Sequence, residues 1–99
     1  MRNHEIVAAL GDGKTIKYRP TGNSMQPKIE SRQLVTVEPL GDHVLKKGDI
    51  VFCKVKSHFY LHLVPAVQGD RVQISNNKGH VNGWITRNGV YGRCIEIAP

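Results

Sequence analysis

What the chain has little of bounds it first. Cysteine occurs only as Cys53 and Cys94, too few for a disulfide framework. Each sits in an apolar, strand-like run and is expected to be a reduced, buried thiol that packs as a small hydrophobe. There is no CxxC pair, and His58 and His62 lie on a turn and its strand rather than on one helical face. No metal site and no cofactor are therefore expected. No charged-plus-apolar leader opens the sequence, and no apolar stretch approaches ~18 residues. A soluble, cytoplasmic protein with no membrane partner is expected. The formal charge is +6 at pH 7, but the only adjacent basic pair is Lys46-Lys47, which excludes an arginine-rich arm. Repeats, low-complexity tracts and linkers are absent.

What is present fits one small domain, residues 1–99. A chain this short buries about two thirds of its surface or less, so the core is modest. Residues 3–10 read as a two-turn helix, capped by Asn3 and ended by Gly11, with Ile6, Val7 and Leu10 on one face. Beyond it the rhythm is that of short strands between turns: 15–19, 34–38, 50–55, 59–64, 71–75 and 89–97. Lys56-Ser57-His58 reads as a hairpin link, and glycines mark a bend or bulge in the last strand. The stretch from His80 to Asn88 has no clear period. This pattern, without a βαβ alternation, predicts a mostly antiparallel β domain, coiled or barrel-like, with one short N-terminal helix.

The stretch Thr21-Gly22-Asn23-Ser24-Met25-Gln26-Pro27 suits neither helix nor strand. Gly22 allows positive φ, and Pro27 removes a donor and pushes Gln26 toward extended geometry. Such a turn can hold one hydroxyl, that of Ser24, at a fixed angle above a sheet. A serine hydroxyl is a weak nucleophile until a base takes its proton, and a neutral imidazole is such a base. His62 lies mid-strand between Leu61 and Leu63, and by alternation shares a face with Tyr60 and Val64. A lone histidine in a strand is more often structural, and a four-residue Ser-Met-Xaa-Pro string arises by chance.

A longer series of blocks adds weight. Gly22-Asn23-Ser24-Met25-Gln26-Pro27, Leu34-Val35-Thr36-Val37, Lys47-Gly48-Asp49-Ile50-Val51, Tyr60-Leu61-His62-Leu63-Val64, Lys78-Gly79-His80-Val81-Asn82 and Val90-Tyr91-Gly92-Arg93-Cys94 follow one another in the chain. In this order they resemble the superfamily of LexA-type self-cleaving repressors and type I signal peptidases, across a peptidase-like core of about residues 15–97. The resemblance implies a coiled, mostly β fold. It implies Ser24 as nucleophile and His62 as general base, as in the histidine branch of the signal peptidases. It implies a turn of Gly22, Asn23 and Met25 around the nucleophile, with the Ser24 backbone N–H as oxyanion donor. The chain also departs from that pattern. His80, and Ile85 and Thr86, stand where the histidine branch carries aspartates. Leu63 stands in place of the usual arginine, and Arg32-Gln33 in place of a Gly-Asp pair. No carboxylate to orient the imidazole is apparent.

Two functions follow as expectations. The first is a soluble serine peptidase-like domain that uses Ser24 and His62 on a peptide or protein substrate. The second is a catalytically silent member of the same fold, a mobile-element inhibitor or accessory module whose positive charge suits an acidic protein or nucleic acid. The bond cut in LexA relatives, of Ala-Gly type, is absent, which counts against self-processing. Trp84 is expected either as a core anchor or as an exposed contact, and the 80–88 stretch as a wall of a substrate groove to which an extended peptide adds as a strand.

Overall fold

A computed structural model describes residues 1–99. The chain folds as one helix, α1 (Asn3–Gly11), followed by eight strands: β1 (Ile16–Tyr18), β2 (Val35–Pro39), β3 (Ile50–Val55), β4 (His58–Leu63), β5 (Val67–Gln68), β6 (Arg71–Ser75), β7 (Val81–Thr86) and β8 (Val90–Ile97). Every strand pairing is antiparallel. Hydrogen bonding runs β1-β2-β8-β3-β4-β6-β5, with β7 paired to β6. The sheet is open, not a closed barrel, because no pairing joins β1 to the far end. No helix is long and apolar enough to cross a membrane.

Strand β3 shows why the sheet has apolar cover on both faces. Phe52 packs with Ile6 and Leu10 of α1, Ile16, Val35, Val37 and Leu61, and with Met25 and Ile29 from the segment between β1 and β2. Its neighbours Val51, Cys53 and Val55 point the other way, against Val64, Val72, Ile74 and Val90. This is the period of two that a strand imposes. Cys53 and Cys94 are free thiols, and burial alone pushes Cys53 up to about 12.

Element limits differ from the sequence expectation where local chemistry decides. The helix is one residue longer, and Asn3 lies inside it rather than capping it. The cap position is Arg2, whose N–H donates to the Glu5 carboxylate at 2.8 Å. Gly11 is the last helical residue. The chain turns at Asp12 and at Gly13, which takes φ +80. The β3–β4 link is the pair Lys56-Ser57, both at positive φ, and His58 already belongs to β4. The aperiodic 80–88 stretch is a strand, β7, followed by a short 3₁₀ turn at Arg87–Gly89.

Two bulges in these strands matter. Opposite Phe52 and Cys53 of β3 stand Gly92 and Val90 of β8, which leaves Tyr91 as the extra residue. Opposite Ile74 and Ser75 of β6 stand Gly83 and Val81 of β7, which leaves Asn82 as the extra residue. A bulge re-aims the side chains beside it and tightens the local twist.

Candidate active site

Ser24 stands on an irregular turn rather than on a strand or helix. Three anchors hold the turn. Met25 and Ile29 sink into the core beneath it, each 5% exposed or less. The Gly22 N–H, on backbone at φ +107, donates to Ser31 Oγ at 3.1 Å. The β6–β7 loop reaches across and binds it twice: Asn77 N–H donates to the Ser24 carbonyl at 2.8 Å, and Asn77 Nδ2 donates to the Gln26 carbonyl at 3.0 Å. That loop is itself fastened by Asn76 Oδ1, which accepts the N–H groups of Lys78 and His80. The hydroxyl is thus fixed from both sides of its own peptide.

His62 is brought to it by β4. The residue is 6% exposed, and its ring stacks on Tyr60 with centroids 4.5 Å apart. Its Nε2 lies 3.1 Å from Ser24 Oγ, and its Nδ1 lies 2.7 Å from Asn82 Oδ1. An amide oxygen only accepts, so Nδ1 carries the proton and donates to it. Nε2 is then unprotonated and accepts the Ser24 hydroxyl. The three side chains form a Ser–His–Asn series with the tautomer a general base requires.

No carboxylate takes part. Burial is the main cause that holds the imidazole below the usual histidine range. The hydrogen bond that His62 donates to Asn82 acts in the opposite direction, and the nearby His80 adds to the lowering. The base is therefore neutral at neutral pH. The backbone N–H groups of Ser24 and Met25 donate to no backbone carbonyl of the chain.

The hydroxyl opens into a groove of about 560 Å³ whose sides are the Tyr18–Gly22 segment and β4 from Phe59 to His62, with the start of α1 at one end. In hydrogen-bonding order β2, β8 and β3 stand between β1 and β4. The sheet curls far enough for the two to face each other.

The structure thus joins Ser24 and His62, two residues 38 apart in sequence. Gly22 and Met25 border the groove beside them. Asn23 stays exposed outside it, and its role is to accept the Gln26 N–H in the turn. The group against His62 Nδ1 is the amide of Asn82 and not a carboxylate. One expectation is corrected: residues 80–88 do not line the groove. Of the two readings of Trp84, core anchor or exposed side chain, the second holds, at 37% accessible on β7. Sequence reasoning missed Asn82 and Asn77. The signal for the first was the Asn82-Gly83 pair, with Gly83 at φ +148, which breaks the strand's alternation.

No protein-family model, curated protein or solved structure matches the chain.

Proposed function

We propose that the protein is a serine peptidase-like hydrolase, with Ser24 as nucleophile and His62 as general base, acting on a peptide bond of an extended substrate. The observation that carries this is the 3.1 Å approach of an unprotonated His62 Nε2 to a solvent-open Ser24 Oγ, with the other ring nitrogen held by Asn82. Buried histidines with a purely structural role satisfy both nitrogens on fixed partners. Here one partner is a hydroxyl at the floor of an open groove. The ordered resemblance to LexA-type repressors and signal peptidases points the same way, and it stands as part of the proposal.

In the proposed reaction Ser24 Oγ attacks the carbonyl carbon and its proton passes to His62 Nε2. The oxyanion that forms is received by the backbone N–H groups of Ser24 and Met25. As the tetrahedral adduct collapses, His62 returns the proton to the leaving amine and an acyl-serine remains. Water, deprotonated by the same nitrogen, then attacks the acyl carbon, and His62 gives that proton to Ser24 Oγ as the carbon–Oγ bond breaks and the acid leaves. Asn82 is a positioning residue throughout: it holds the Nδ1 proton and touches no reacting atom. A peptide between β4 and the Tyr18–Gly22 segment would lie alongside backbone that no strand covers, as in strand addition.

The test is labelling by a serine-reactive peptidyl phosphonate, with Ser24→Ala and His62→Ala as controls. Labelling of the parent chain that both substitutions abolish is the expected outcome. A parent chain that is folded yet unlabelled would instead favour a silent binding module, and a search for an acidic protein or nucleic-acid partner would follow.

A further inference from the structure

The base has a third neighbour besides Ser24 and Asn82. Residues two apart on a strand share a face, so β4 lines up His58, Tyr60 and His62 on one side. The Tyr60 and His62 rings are close to parallel, 22° apart, with centroids 4.5 Å from each other. His58, which is exposed, follows at 6.4 Å from the Tyr60 centroid, its plane tilted by 48°. Tyr60 itself is half-buried. It packs against the apolar cluster that includes Val51, Cys53 and Val64, and it also borders the groove.

That contact bears on a cost in the proposed reaction. When Nε2 takes the Ser24 proton, the ring gains a full positive charge. His62 is 6% exposed, so bulk water solvates that charge poorly. Its two nitrogens are already engaged, Nδ1 by the Asn82 amide and Nε2 by the reacting hydroxyl. Neither partner is an anion. What remains of an imidazolium is its two faces, and Tyr60 lies against one of them. The face of an aromatic ring carries negative potential and attracts a cation within about 6 Å of its centroid. The other surroundings do not supply this. Val51 of β3 stands opposite His62, and the ionisable neighbour from the β6–β7 loop, His80, disfavours the charge. Resting on the peptidase reading above, we infer that Tyr60 is a positioning residue for the His62 base: its ring face holds the imidazole plane and stabilises the imidazolium that forms as Ser24 gives up its proton. An aliphatic side chain of similar size would exclude water as well but has no such face.

The experiment compares Tyr60→Leu and Tyr60→Phe with the parent chain. Two quantities are read: the titration of the His62 ring by nitrogen NMR, in which His58 and His80 give their own signals, and the rate of labelling by the peptidyl phosphonate. Tyr60→Leu is expected to lower the His62 midpoint by about half a pH unit or more and the limiting labelling rate about five-fold. The reagent concentration at half-saturation should change little, because the loss lies in the step and not in binding. Tyr60→Phe, which keeps the ring face, should recover most of both. Tyr60→Met, equally without a ring, replaces the Leu variant if circular dichroism shows that variant unfolded. A ringless variant that titrates and labels like the parent would overturn the inference. So would a Phe variant as impaired as the ringless one, since the hydroxyl would then be the active part. The two readings fail separately. Midpoints that move as expected while the parent takes no label keep the ring contact and remove the hydrolase. Labelling of the parent that loss of the ring does not slow keeps the hydrolase and removes Tyr60 from it.

Discussion

Asn82 decides what His62 can do. A carboxylate in its place would both fix the tautomer and stabilise the imidazolium by its charge, whereas an amide fixes the tautomer and favours the imidazolium only through its dipole. Two outcomes follow at this scale. Because burial holds the imidazole below the usual value of about 6.5, the neutral, base-competent form persists into mildly acidic solution. Phosphonate labelling should rise with pH through a midpoint below that value and then stay level through neutrality. The same depression means that the folded chain resists protonation more than the unfolded chain, so stability is lost as pH falls below about 6.5. Asn82→Asp should move the labelling midpoint upward, since a facing anion favours the charged ring. Asn82→Ala should leave Nδ1–H without its acceptor and lower the labelling rate on the order of a hundred-fold. Nitrogen NMR of the His62 ring reads tautomer and titration directly, and an unchanged ring in Asn82→Ala would remove the positioning role.

Strand β8 carries a different constraint, one of backbone approach. Gly92 lies where a Cβ would collide with the Glu38 carbonyl oxygen of β2 and crowd Leu10 of α1 and Val37. The first is backbone on a neighbouring strand and has little room to yield. Gly92→Ala should therefore cost about 2 kcal/mol or more in denaturant unfolding. The β3–β4 turn offers the opposite case. Lys56 and Ser57 both occupy positive φ, at 49° and 73°, where asparagine and glycine are at ease. Replacing the pair by Asn-Gly should stabilise the hairpin by about 0.5–1 kcal/mol, seen as a higher denaturant midpoint at unchanged slope.

Across the whole molecule, two apolar clusters share β3. Phe52 belongs to the face that holds α1 and the turn around Ser24, and its neighbours Val51 and Cys53 belong to the face that holds β6. Loss of one face exposes the other, so unfolding should be a single transition. Far-UV circular dichroism, which reports the sheet, and the fluorescence of Trp84, the only tryptophan, should give one midpoint. Two separate midpoints would show that the faces melt independently. Phe52→Ala removes the ring that ties Tyr18, Phe59 and Tyr91 together. It should cost about 3–5 kcal/mol and also weaken binding in the groove, because that ring forms part of its base.

The sequence by itself determined whatever local periodicity and turn chemistry control. The largely apolar run of residues 50–55, the alternation in 71–75, and the stops at Pro20 and Pro65 placed the strands and the fold class. The Gly-Xaa-Ser-Met-Xaa-Pro string marked Ser24, and an imidazole between two leucines marked His62. Only the tertiary structure decided how these meet. A hydrogen bond between residues 24 and 62 depends on how far the open sheet curls, a sum over many pairings that no single segment encodes. Asn82 escaped because its strand is bulged: an extra residue resets the alternation, and the side chain turns toward His62 only when β6 lies beside it. Asn77 escaped because its hydrogen bonds cross between two loops. The groove, too, exists only once the Tyr18–Glu30 stretch and the β3–β4 hairpin face each other. Patterns of a few residues are written in the chain, whereas contacts between distant residues follow from which surfaces the whole chain can bury at once.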